Sequence, residues 1–176
     1  QIGAAGGGLG QCAGLGWGVV AGLRCVGGRE EGAGRGSGWV GHSEGGVIGS
    51  MVAAGDAQLA GLVVLAGPSD SGLEILKFQN RYAIDHDTSI APSRRDSLYK
   101  KAYAQIDTVG MNDKWFGFFL KYDPLPTARR VKTPTIILEG ATDQQVTPDQ
   151  ATNLAATIPS NGHQAVTVRV FPELDH

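Results

Sequence analysis

The chain has 176 residues, enough for one domain with a real core, since a domain of about 150 residues buries roughly 70% of its unfolded surface. A net charge of −2, with acids and bases interspersed, offers no basic stripe to nucleic acid and no acidic tail to a basic partner, which leaves a small-molecule partner. No apolar run is long enough to span a bilayer, and no cationic cluster followed by an apolar stretch opens the chain, so no membrane role is expected; a soluble, cytoplasmic protein is favoured, with any export signal lying upstream of a missing start.

Nineteen of the 27 glycines fall within the first 50 residues, and residues 1–37 show neither helical periodicity nor strand alternation. Glycine loses the most conformational entropy on folding, so this segment is expected to be atypical and poorly ordered. It also holds the two cysteines, Cys12 and Cys25, in no zinc-ligand spacing, and they read as free thiols. Residues 38–176 are conventional and form the expected domain. Trp39 and Val40 open a short strand, a Gly/Ser turn follows, and Val47 to Ala54 are small, helix-compatible residues. Gly61 to Ala66 (GLVVLA) and Thr135 to Leu138 (TIIL) are continuous apolar runs bounded by Gly and Pro, as in parallel strands covered on both faces. Between them, residues 71–122 carry charged helical stretches and the aromatics Trp115, Phe116, Phe118, Phe119 and Tyr122, read as a helical insertion or cap. Pro148 to Ile158 places Ala151, Leu154, Ala155 and Ile158 on one helical face, with Asp149 as its cap, and Ala165 to Phe171 alternates like a strand near an edge.

Gly41-His42-Ser43-Glu44-Gly45 matches GxSxG, in which a sharp strand-to-helix turn exposes a serine hydroxyl. Composition alone would yield about 0.2 such matches, so order along the chain has to carry the argument. A serine nucleophile needs a base, and the base needs an acid to fix its tautomer. Asp143 follows the strand TIIL and His176 follows AVTVRVF, which places both beyond the carboxyl ends of strands, where open parallel sheets build their sites. Ser43, Asp143 and His176 are therefore the candidate nucleophile, acid and base; Asp149 and Asp175 are the alternative acids. The backbone N–H of Glu44 is the first oxyanion donor, and no second donor is evident. His42 and Glu44 read as pocket-wall residues. Trp115 and Phe119 are candidate substrate contacts, against the alternative that they are core. His86, between Asp85 and Asp87, reads as solvated because consecutive residues do not easily converge on one ion, and His163 reads as a turn residue. No metal or organic cofactor is called for.

GHSEGG, PTIILEGATDQQV and VTVRVFPELDH resemble the elbow, acid loop and histidine loop of the α/β-hydrolase superfamily, in its esterase and prolyl-oligopeptidase-like branches. WFGFFLKYDP is similar to a WxxxFLxYDP element of bacterial esterases in this group. The resemblance covers residues 38–176 and implies a partial α/β-hydrolase fold, mostly parallel, with flanking helices and a cap-like insertion. It implies a serine hydrolase acting on a small carboxylic ester, with a peptidase on short peptides or an inactive fragment as alternatives. The family sheet has about eight strands, whereas only four are expected here. The chain would thus be truncated at both ends, its elbow strand would lack a neighbour, and that unpaired edge would favour self-association.

Overall fold

The computed structural model describes residues 23–26, 37–159 and 165–176. Five strands form one sheet in sequential order: β1 (Leu23–Val26), β2 (Ser37–His42), β3 (Gly61–Leu65), β4 (Thr135–Gly140) and β5 (Val166–Phe171). β2 to β5 are parallel, and β1 runs antiparallel to β2, with Leu23 opposite Val40 and Val26 opposite Ser37.

Helices α1 (Glu44–Gly55), α5 (Leu125–Ala128) and α6 (Pro148–Thr157) connect these strands and share one core with them. Leu62 and Val64 of β3 and Ile137 of β4 meet Ala53 of α1, Ala128 at the end of α5, and Ala151 and Leu154 of α6. α1 packs on β2 and β3, and α6 on β4 and β5. The remaining helices, α2 (Gly72–His86), α3 (Pro92–Asn112) and α4 (Lys114–Lys121), pack on one another and on no strand. Residues 71–122 thus form a helical layer set apart from the sheet. Among the described residues no helix is long and apolar enough to cross a membrane.

Three expectations need correction. The run in β4 is not covered on both faces: Ile137 is buried, whereas Ile136 remains 44% exposed; in β3, Leu62 and Val64 are buried and Val63 and Leu65 on the other face are half-buried. A short apolar run does not by itself distinguish these cases, because burial alternates beneath it. The elbow strand β2 is not an edge, since β1 pairs with it from inside the segment expected to lack regular structure. LRCV is too short to establish a period, so only pairing reveals it as a strand. Finally, Thr147 rather than Asp149 is the N-cap residue of α6, and Asp149 lies in the first turn, where its charge complements the helix dipole. The cysteines lie outside what the structure describes at side-chain level, as does His163 altogether.

The closest packing in the sheet is where β2 turns into α1. A Cβ on Gly41 would lie 2.0 Å from the Gly45 carbonyl oxygen, whereas one on Gly55, at the far end of α1, would meet nothing within 4 Å. Gly41→Ala is therefore expected to lower stability by more than about 2 kcal/mol or to abolish cooperative unfolding. Gly55→Ala should be neutral or stabilising by up to about 1 kcal/mol. Urea midpoints of the two variants check this contrast, and equal midpoints would contradict the packing.

Candidate active site

Ser43 sits between β2 and α1 with φ 53° and ψ −121°, a left-handed backbone that a non-glycine residue adopts at a cost of about 1–3 kcal/mol. Two bonds fix it there: Ser43 N–H donates to the Leu65 carbonyl (2.8 Å), and Gly46 N–H donates to the Ser43 carbonyl (2.9 Å). The helix passes close above the strand because its buried glycines permit it. A Cβ on Gly46 would meet Val64 at 2.9 Å, and one on Gly49 would meet the Trp39 ring at 2.4 Å. Trp39 Nε1 also donates to the Gly45 carbonyl at 3.3 Å. Although Ser43 occupies the N-cap position, its hydroxyl makes no capping bond. A serine in a cap normally spends its oxygen on the helix; this one keeps it for other chemistry. The Glu44 N–H, at the first helical position, has no intrahelical acceptor.

The candidate acid and base meet one another directly. His176 Nδ1 lies 2.7 Å from Asp143 Oδ2, with Asp143 fully buried and the histidine side chain 11% exposed. The other Asp143 oxygen, Oδ1, accepts from the backbone N–H groups of Gln145 (2.7 Å) and Val146 (2.9 Å). Burial alone would raise the Asp143 pKa, but the bonds from His176, Val146 and Gln145 outweigh it and hold the carboxyl below its ordinary value. An ionised Asp143 only accepts, so Nδ1 carries the proton and Nε2 is left as the basic nitrogen. The two loops are tied together as well: Thr142 Oγ1 donates to the Leu174 carbonyl (2.7 Å) and Ala141 N–H to the Phe171 carbonyl (2.9 Å).

The His42 ring, next to Ser43 in sequence, lies with its centroid 4.5 Å from that of His176. Burial and the neighbouring His176 lower its pKa, against a smaller opposing pull from Asp143. His42 therefore stands beside the base in its neutral form. No hydrogen bond joins Ser43 to His176 among the described residues; serine-to-base bonds are often long without substrate. Glu44 turns its carboxylate outward to accept from Trp115 Nε1 on α4. Trp115 continues into Phe118 and Tyr122 as a row of touching rings, whereas Phe119 lies against Gly72 at the start of α2. His86 stacks on Tyr82 at the exposed end of α2. Residues 27–36, which precede the elbow strand, lie outside the described part of the chain.

One residue of this neighbourhood was not anticipated. Glu139 sits on the buried face of β4, in alternation with Thr135 and Ile137, and is 2% exposed. Period-two counting along TIILE would have flagged a carboxyl on an apolar face.

A family profile described as the prolyl oligopeptidase family matches residues 33–176, which includes Ser43, Asp143 and His176. The chain belongs to the prolyl oligopeptidase family. That places it in the α/β-hydrolase superfamily, among hydrolases. No curated protein matches it. Solved structures similar to it include an α/β-fold hydrolase from Bacillus anthracis str. Sterne, 19% identical with a TM-score of 0.49, covering 80% of this chain and 61% of that one. An acylaminoacyl peptidase from Pyrococcus horikoshii is 16% identical with a TM-score of 0.44, covering 78% of this chain and 19% of that one. The esterase domain of a Rhodothermus marinus protein is 15% identical with a TM-score of 0.46, covering 78% of this chain and 49% of that one. The chain thus spans about a fifth of the peptidase's length and about half of the esterase domain's.

In this prolyl oligopeptidase family chain, the lowered Asp143 pKa ties stability to acidity. A carboxyl with a depressed folded pKa contributes stability above its unfolded value, near 3.8, and loses it as the pH falls through the folded value. Asp143→Asn removes that contribution. Between pH 5 and pH 2 the parent should lose more stability than the variant, by at most about 1.4 kcal/mol per pH unit, as read by urea unfolding. Parallel losses would show that Asp143 is not held ionised by its bonds.

Proposed function

We propose that the chain is a serine hydrolase that cleaves carboxylic esters through an acyl-enzyme on Ser43. The observation that carries this reading is the 2.7 Å contact between His176 Nδ1 and buried Asp143, which leaves Nε2 as the base at the carboxyl edge of the sheet where Ser43 is held. His176 Nε2 takes the proton from Ser43 Oγ as that oxygen bonds to the ester carbonyl carbon. The carbonyl oxygen becomes negative and is met by the Glu44 N–H. The C–O bond to the leaving alcohol then breaks, and the alcohol departs with the proton returned by His176. Water repeats the sequence: it gives a proton to His176, attacks the acyl carbon, and Ser43 Oγ leaves protonated. No metal or organic cofactor takes part in these steps.

The aromatic row that begins at Trp115 would line the acyl side, with Trp115 held over the elbow by Glu44, whereas Phe119 packs against Gly72. Cleavage of short peptides is the second reading, favoured by the family match. The two share every step up to the leaving group, which for an amide must be protonated by His176 before it departs.

Reaction with a fluorophosphonate probe, followed by intact mass and adduct mapping, tests the mechanism. One adduct at Ser43 is expected, absent from Ser43→Ala. Asp143→Asn should slow turnover by about 10,000-fold, because an amide keeps the Gln145 and Val146 bonds only by turning its NH2 toward His176, which imposes the wrong tautomer. A folded parent that takes no adduct would overturn the reading. Acyl p-nitrophenyl esters compared with peptidyl p-nitroanilides then separate esterase from peptidase: faster kcat/KM on the anilides would favour the second reading.

A further inference from the structure

We propose that Glu139 is a positioning residue for the Asp143–His176 couple, donating a hydrogen bond through Oε2 to the Asp143 carboxylate. The inference rests on the hydrolytic reading of Ser43, Asp143 and His176, which leaves Glu139 without a task.

The turn that follows β4 brings the two residues together. Glu139 ends the buried face of β4, and the chain turns at once, with Asp143 N–H reaching back to the Gly140 carbonyl at 3.3 Å. Gly140 is required in that turn, because a Cβ there would lie 2.3 Å from the Leu174 carbonyl oxygen of the histidine loop. Glu139 Oε1 accepts from the Gly140 N–H at 3.0 Å, whereas buried Oε2 has no partner of full hydrogen-bond geometry. An ionised oxygen left alone in such a place is costly, and a protonated one is a donor in search of an acceptor.

The surrounding charges decide between these states. Asp143 and Asp149 of α6 both face Glu139 with negative charge, and among the described residues no Lys or Arg forms an ion pair with it. Burial first, then the charge of Asp143 and a bond to its side chain, push the Glu139 pKa up to about 8, against the opposing Gly140 bond. At neutral pH it is therefore an acid with a proton to give. Asp143 has room to take it. A carboxylate offers about four acceptor sites, of which Gln145, Val146 and His176 fill three. Glu139 fills the fourth, so Asp143 is held from every side and presents a fixed oxygen to Nδ1. His176, when protonated, is the single positive group on this couple, and ionisation of Glu139 would place a second negative charge behind it.

The test compares the parent with Glu139→Gln, whose amide still donates, and Glu139→Leu, which does not. Carboxyl 13C titration of the parent should show one glutamate titrating near pH 8, absent from both variants. The His176 Nδ1–H proton resonance should move in Glu139→Leu and stay in place in Glu139→Gln. Fluorophosphonate labelling of Ser43 at pH 7 should be slowed about tenfold or more in Glu139→Leu and be close to the parent in Glu139→Gln, the loss expected for a hydrogen bond to a charged group. The parent's labelling rate should also bend near pH 8, and the bend should vanish in Glu139→Gln. A parent glutamate set that titrates only in the ordinary range, or a folded Glu139→Leu whose Nδ1–H resonance matches the parent, would overturn the proposal. A parent that shows the NMR signature but takes no adduct would refute the hydrolytic reading and still establish the contact.

Discussion

The site depends on how closely α1 rides over the strand that feeds it. A serine at φ 53° is unfavourable in isolation, and it persists because both sides of the turn over-determine it: Leu65 holds its N–H, and Gly46 its carbonyl. That bonding requires the strand and helix backbones to approach within a distance that no side chain at Gly41 would allow. Strain at Ser43 and the absence of a Cβ at Gly41 are thus one constraint. The result is a hydroxyl lifted off the end of the sheet and unused by the helix it precedes.

The second half of the site is organised by a different force. Asp143 is buried as an ion, which is tolerable only if its oxygens are filled, and the filling groups are two backbone N–H groups of its own loop and the ring of His176. The same bonds that make the charge bearable therefore aim the His176 ring. The loops that carry Asp143 and His176 are laced together through Thr142, Ala141, Leu174 and Phe171. The couple meets the elbow at the His42 and His176 rings, where lowering the pKa of His42 avoids placing two cations side by side.

Much of this was legible in the sequence because it is local. Strands β2 to β5, helix α1 and helix α6 fall where apolar runs and turn residues place them, and Asp143 and His176 were found by counting from strand ends. What escaped was the information carried by pairing. β1 is four residues long and becomes a strand only because Ser37 to Val40 lie opposite it. The uneven cover of β4 depends on where helices from elsewhere in the chain lie. The Asp143 and His176 partnership spans 33 residues and rested on chain order, whereas the rings of Trp115 and Phe119 were assigned together and point to different neighbours.

The helical layer separates two tasks that the sheet would otherwise have to combine. α2, α3 and α4 bury one another rather than any strand, and they carry the exposed apolar side chains Phe78, Met111, Trp115 and Phe118. Side-chain bonds from the layer to the body are few among the described residues: Trp115 to Glu44 beside the elbow, Gln79 to the Gln145 carbonyl beside Asp143, and Tyr122 to Thr127 of α5. The first two end on residues close to catalytic candidates, yet none of the three uses an atom that the proposed chemistry needs. The proposed chemistry calls on the backbone N–H of Glu44, whose side chain alone goes to Trp115, while Gln145 gives its N–H to Asp143 and only its carbonyl to Gln79. The layer is therefore joined to the body without drawing on the strained Ser43 turn or on the Asp143–His176 contact, which stay as the sheet sets them.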